Sequence, residues 1–220
     1  MLTPRMQLIA DNIKGKIVAD IGTDHAYIPI ELMKKNMCEK VIASDVRIGP
    51  ADTARRHIAK QGLDIEVRVG SGLSVLKPGE ADEIIIAGMG GKLIAEILEA
   101  DKAAASLSRL ILQPMNGQYE LRKYLCENNM TVSHEDLTVE GFKVYNMIIV
   151  EKCTDGIIYN EEIDFHLPPA LKEHKYFNEL RAKKLREFNK ILSGYERKKG
   201  EADEEIICYY REMIKKAQEL

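Results

Sequence analysis

The chain has 220 residues, 45% of them hydrophobic, and a formal net charge of −3. That length exceeds the common domain size of about 100–150 residues and points to one domain with an appendage. No apolar run approaches the roughly 20 residues of a membrane span, the N-terminus lacks a signal-peptide core, and Cys38, Cys126, Cys153 and Cys208 are scattered without a C-x-x-C pair, which argues against a zinc site or disulfide framework and for a reducing, cytoplasmic setting.

Thr3-Pro4 reads as a cap and first-turn proline for a leading helix through Ile13. Residues 16–21 follow as a short apolar strand ending in Asp20-Ile21-Gly22-Thr23-Asp24-His25-Ala26-Tyr27. An acid, a glycine and small residues at a strand-to-helix turn suit a nucleotide-like ligand, because glycine allows close backbone approach and a helix start presents free N–H groups. The dinucleotide fingerprint G-x-G-x-x-G needs glycine at position 24, where Asp24 stands. A carboxylate there repels a pyrophosphate and suits a cationic amine. S-adenosylmethionine, with its α-amino group and sulfonium, is such a ligand.

A helix is expected over 30–36 and a second strand over 40–45, ending in Asp45, 25 residues after Asp20. An acid about 20 residues past the glycine turn binds ribose hydroxyls in doubly wound folds; the competing role for Asp45 is to cap the helix over 49–61. Strands over 65–70, 83–88 and 109–113 then alternate with helices over 92–100 and 119–129, the pattern of a parallel sheet covered on both faces. Residues 131–140 and 143–152 are two β-rich runs joined at Gly141, so they pair antiparallel. Five parallel strands followed by such a hairpin give the class I methyltransferase layout: an α/β, Rossmann-like domain with a seven-stranded sheet whose last strand is antiparallel.

Three loops follow later strands, where α/β sheets bind ligands. Gly70-Ser71-Gly72-Leu73 is either an adenine-edge contact or a plain glycine turn. Gly88-Met89-Gly90-Gly91 lacks the D/N-P-P-Y/F of exocyclic-amine DNA methyltransferases. Its glycines leave room for an acceptor with its own lone pair, such as a ring nitrogen, that needs positioning more than deprotonation. In Gln113-Pro114-Met115-Asn116 the two amides can read a base edge, Pro114 stiffens the loop, and Asn116 has helix capping as its competing role.

Residues 154–169 read as a linker. Beyond it Leu171, Phe177, Leu180, Phe188, Leu192 and Tyr195 form one apolar stripe. A break at Lys199-Gly200 precedes a second helix over 201–219, with Ile206, Ile207, Tyr210 and Ile214 on one face. A C-terminal helical hairpin is expected. Between Lys172 and Lys199 ten basic residues face four acids, a net of +6, followed by the acidic cluster Glu201, Asp203, Glu204 and Glu205. Such a segment is either a solvated face or a polyanion-binding surface.

Taken together, Thr3-Pro4-Arg5, the run from Val18 to Tyr27, Ser44-Asp45-Val46, Gly88-Met89-Gly90-Gly91 and Leu112-Gln113-Pro114 resemble the bacterial tRNA (adenine-N1)-methyltransferases that act on adenine 22, the TrmK family. The resemblance covers essentially the whole chain. It implies a methyltransferase domain over 1–154, a coiled-coil-like hairpin over 155–220, S-adenosyl-L-methionine as cofactor, tRNA as partner, no metal, no membrane, and a monomer or weak dimer. Its implied cofactor site comprises Asp20, Gly22, Thr23, His25, Tyr27, Asp45, Val46, Ser71, Gly72, Leu73, Gly88 and Met89. Asp24, Met89, Gln113 and Asn116 are the expected catalytic set. Arg5, Gly90 and Pro114 are expected to meet substrate, and Lys183, Lys184, Arg186 and Lys190 to meet tRNA phosphates. A small-molecule methyltransferase and a non-catalytic RNA-binding protein are the alternatives.

Overall fold

A computed structural model describes residues 2–197 and 204–220. The expected break at Lys199-Gly200, residues Lys198 and Lys199 of the basic run, and Glu201 and Asp203 of the acidic cluster lie outside the described residues. The chain divides into two compact units between Ile157 and Ile158, a few residues beyond the expected boundary at 154.

In the first unit the elements are α1 (Pro4–Asp11), β1 (Ile17–Ile21), α2 (Tyr27–Lys34), β2 (Lys40–Asp45), α3 (Ile48–Lys60), β3 (Glu66–Val69), β4 (Glu83–Gly90), α4 (Gly91–Ala100), α5 (Lys102–Leu107), β5 (Arg109–Asn116), α6 (Gln118–Glu127), β6 (Val132–Glu140) and β7 (Lys143–Val150). Among the described residues the strands form one seven-stranded sheet in the order β3-β2-β1-β4-β5-β7-β6. β1 to β5 pair parallel, and β7 enters antiparallel between β5 and β6. This is the Rossmann-like methyltransferase sheet that the alternation predicts.

Alternation along each buried strand explains the two-sided core. Val18, Val41, Ala43, Ile85, Ile111 and Ile149 meet Ile9, Ala10, Ile28, Leu32, Ala54 and Ile58 from α1, α2 and α3 in one buried cluster. Ala19, Ile42, Ile84, Ile86, Leu110 and Leu112 point the other way and are equally buried, as are Ile94, Leu98, Leu121 and Leu125 of α4 and α6. At the N-terminal end of the strands, Glu83 is fully buried. Its carboxylate accepts from the Lys14 and Gly15 N–H groups at 2.9 and 2.8 Å and pairs with Arg109. This acid is structural and stands at the end of the sheet opposite the ligand-binding loops.

The second unit begins with two single-turn helices, Glu162–Phe165 and Pro169–Leu171, where a linker was expected. Asp164 accepts from the Asn160 and Glu161 N–H groups at 2.8 and 3.0 Å, which orders that turn. The helices α7 (Phe177–Glu196) and α8 (Glu204–Glu219) follow. They pack together, with Phe188 and Tyr210 rings 5.8 Å apart and an Arg211–Glu196 ion pair of 2.8 Å. The buried line of α8 runs through Met213 and Ala217; Ile206, Ile207, Tyr210 and Ile214, expected to form its face, are half-buried flanks. Among the described residues no helix is long and apolar enough to cross a membrane.

Candidate functional site

The ends of β1, β2, β4 and β5 bring the predicted loops together. At the end of β1, Gly22 has φ +79°, and an added Cβ would stand 2.1 Å from the Met89 methyl group. The left-handed backbone favours glycine there, and any side chain would have to displace Met89. Met89 therefore covers the β1 turn from the β4 side. The Gly22 and Thr23 N–H groups both donate to Ser44 O at 2.8 Å. The turn ahead of α2 thus spends its first two N–H groups on β2.

Asp20 and Asp45 close the two neighbouring strands and are 5% and 7% exposed. Burial pushes the Asp20 carboxyl up to about 6; the Thr23 hydroxyl works against that and the Asp45 charge adds to it. That hydroxyl is close enough to pull on Asp20 but completes no hydrogen bond. Asp45 accepts from the Arg47 N–H at 2.9 Å. It does not cap α3, whose N-cap is Arg47. The Arg47 Nε lies 3.9 Å from the same Asp45 oxygen. Just beyond it Val46 and Ile48 are 62% and 67% exposed, an apolar pair beside an acid.

The β1 turn holds two non-glycine residues in the left-handed region, Asp24 at φ 48° and Ala26 at φ 54°. Each such residue costs on the order of 1–3 kcal/mol, a strain that clusters at ligand clamps. The Asp24 side chain is exposed and lies 3.5 Å from His25 Nε2. His25 stacks on Tyr27 at 5.4 Å and tilts against His57 at 5.2 Å. His57 Nδ1 also reaches His25 O at 3.2 Å, so His25 and Tyr27 belong to an aromatic cluster anchored on α3. Ser71 is exposed, Gly72 opens a single helical turn, and Leu73 is buried, so Leu73 offers a ligand only its backbone.

On the β4–β5 side, pairing shifts register around Met89. Gln113 is 1% exposed and its amide is fully engaged. Its Oε1 accepts from Arg5 Nη1 at 2.9 Å and from the Gly88 N–H at 3.2 Å; its Nε2 donates to Pro114 O at 3.1 Å. This corrects the expectation that Gln113 reads a base edge, since a buried amide with its bonds made is costly to redirect. Pro114 is buried with it. Asn116 is exposed and lies over Gly90, its Oδ1 3.0 Å from where a Cβ would stand. It does not cap α6; Gly117 holds that position.

Among the described residues the Arg5 guanidinium makes no ion pair with an acid. Its backbone N–H donates to Glu140 Oε1 at 2.7 Å, and its guanidinium bonds Gln113 and sits 5.6 Å from the Tyr145 ring centroid. It ties together the ends of β4, β5 and the β6–β7 hairpin, a role the spacing of Thr3-Pro4-Arg5 did not reveal. On α7, Arg186 and Lys190 are exposed and Lys183 is half-buried. Lys184 is buried and bonded to Glu187 at 2.8 Å, so it is not available to a phosphate. Its place four residues after Leu180 and four before Phe188 puts it on the apolar stripe, a signal the charge count hid.

Two buried acids, a close-approach glycine and exposed apolar side chains make a donor set that fits a ligand with cationic, hydroxyl-bearing and flat apolar parts. Among the described residues no cluster of three or more His, Cys, Asp or Glu is placed to hold a metal. Residues 2–148 match the family model described as a methyltransferase domain. The chain is 42% identical over 154 residues to the tRNA (adenine(22)-N(1))-methyltransferase of Bacillus subtilis, covering 68% of this chain and 65% of that relative. The crystal structure of the B. subtilis M1A22 tRNA methyltransferase TrmK superposes with TM-score 0.88 at 32% identity, over 100% of this chain and 98% of that one. Streptococcus pneumoniae Sp1610, solved in complex with S-adenosyl-L-methionine, superposes with TM-score 0.85 at 30% identity, over 100% and 99%.

Proposed function

Because the chain belongs to the TrmK family of tRNA methyltransferases, we propose that it transfers a methyl group from S-adenosyl-L-methionine to N1 of adenine 22 in bacterial tRNA. The observation that carries this reading is the pair of buried acids, Asp20 and Asp45, flanking the left-handed Gly22 turn covered by Met89. The cytoplasmic location follows from the substrate.

When bound, S-adenosyl-L-methionine supplies an electrophilic methyl group: the acceptor lone pair forms the new N–C bond while the sulfonium leaves as a neutral thioether. Asp20, Gly22 and Thr23 hold the methionine end, with Asp24 beside its amine. Asp45 accepts from the ribose hydroxyls. Val46 flanks the adenine, and the Ser71, Gly72 and Leu73 turn closes its far edge. His25 and Tyr27 support the clamp through their stack on α3.

On the acceptor side, Gly88, Met89 and Gly90 leave the space, and Asn116 presents an amide to the base. Gln113 acts one step back, fixing the Gly88 N–H and the Arg5 guanidinium. The acceptor N1 carries its own lone pair, so positioning counts for more than proton removal. The methylated base is cationic, and the exposed Asp24 carboxylate stabilises it. An adenine within folded RNA must leave its stack to reach this space. Arg186, Lys190 and Lys183 contact tRNA phosphates without Lys184.

Calorimetric titration with S-adenosyl-L-methionine, followed by label transfer to unmodified bacterial tRNA, tests the assignment. Unsubstituted protein binds and transfers, and Asp45→Ala loses at least about tenfold in affinity, the loss expected when charge-assisted hydrogen bonds go. Tight cofactor binding with no transfer to any tRNA contradicts it.

A further inference from the structure

β6 and β7 pair along their whole length and close through Glu140 opposite Lys143, leaving Gly141 and Phe142 as a two-residue turn. Gly141 sits at φ +58°, so the turn requires its glycine and places no demand on position 142. Yet Phe142 stands there, 104% exposed. It is an aromatic ring held in solvent on a rigid hairpin, for no reason that lies in the fold. Lys143 beside it is exposed and makes no ion pair among the described residues. Glu140, paired across the turn from Lys143, accepts from the Arg5 N–H.

The tip stands at the acceptor end of the sheet. β6 runs with β5 and β7 runs against it, so the turn lies at the end where β4 and β5 finish. Arg5 fixes that placement by bonding Glu140, lying over Tyr145 and reaching Gln113 beside Gly88. From Tyr145 to Phe142 the hairpin extends about 10 Å further at strand rise.

We propose that Phe142 stacks on a nucleobase of the RNA next to the extruded adenine, with Lys143 on the adjoining phosphate. The proposal deepens the methyltransferase reading and rests on it. Every base has a π-face, so an aromatic tip tolerates sequence while filling or propping the gap an extruded base leaves. A cation next to an aromatic in open solvent matches a polyanion whose bases are splayed, and the tip lies at the same end of the sheet as the acceptor loops, tied to them through Arg5.

The chain has no tryptophan, which makes Phe142→Trp a direct reporter. Its fluorescence is expected to be quenched on adding unmodified tRNA. Phe142→Ala is expected to lower kcat/KM for tRNA by about tenfold or more, with unchanged thermal midpoint and unchanged calorimetric affinity for S-adenosyl-L-methionine. Quenching without transfer by any form keeps the stacking contact and overturns the reaction. Transfer with no quenching and an unaltered kcat/KM in Phe142→Ala overturns the stacking contact and leaves the reaction standing. A change of oligomeric state in Phe142→Ala at unaltered tRNA kinetics assigns the tip to self-association and likewise overturns the proposal.

Discussion

Gly22 carries two separate demands, a left-handed backbone and contact with Met89, and they respond differently to substitution. In Gly22→Ala the Met89 side chain can swing aside, but φ +79° remains. That strain is worth on the order of 1–2 kcal/mol. Gly22→Ala should lower the thermal midpoint and weaken S-adenosyl-L-methionine binding, and Gly22→Ala/Met89→Ala should recover only the part due to contact; calorimetry on both variants checks this. Asp20 gives the site a pH dependence. Its carboxyl titrates near 6 when folded, against about 3.9 in an unfolded chain. The folded state holds the extra proton between those values, so this group's contribution to stability falls as pH rises from about 4 to about 6. Asp20→Asn removes that slope: the denaturant-measured stability of unsubstituted protein relative to the variant should drop across this window and then level. A cation seated at Asp20 needs the ionised form, so affinity for S-adenosyl-L-methionine should rise through the same window. Asp20, Gly22 and Asp45 were legible because residue type and spacing demand a strand-end turn. Gln113 was legible only as a polar group at a loop, since its bonds come from Arg5 and Gly88, 108 and 25 residues away.

At the scale of elements, most strands were readable from apolar runs bounded by turn residues. β2 has the expected bounds, while β4 and β5 run on through Gly90 and Asn116. That extension comes from pairing across a register shift, which no local propensity encodes. α5 escaped notice because six residues carry no period, although Asp101 caps it by accepting from the Ala104 N–H at 3.1 Å. α2 starts three residues earlier than expected, behind Ala26 in a left-handed conformation that ordinary cap chemistry does not predict. α6 and β6 are joined by Arg122 and Glu135, both fully buried and bonded at 2.9 and 2.6 Å. Removing one partner leaves a buried charge, so Glu135→Ala should cost about 3–5 kcal/mol, whereas an apolar pair at both positions should regain most of it; equilibrium urea unfolding separates the two. On α7, Lys184→Met should leave both stability and KM for tRNA nearly unchanged. Arg186→Glu with Lys190→Glu should raise KM and flatten its salt dependence.

For the whole molecule, the strand order follows from the sequence as far as alternation and one hairpin can carry it. The insertion of β7 between β5 and β6 follows from the short Gly141-Phe142 turn together with the need to bury both faces of β7, whose residues from Val144 to Val150 are all buried. Long-range ties were not legible: Glu83 to Lys14 and Gly15, and Arg5 to the β6–β7 hairpin, join residues far apart in the chain. The Glu83 tie closes the end of the sheet opposite the loops, and the Arg5 tie holds the acceptor end in shape, on which the function depends. The most direct measurement is to map the methyl group itself. Unmodified bacterial tRNA is incubated with the protein and S-adenosyl-L-methionine, then copied by reverse transcription, which a methyl on the pairing edge of adenine blocks. The account predicts a single new stop at adenine 22 that disappears with Asp45→Ala. A stop at another position, or transfer with no stop at all, would contradict it.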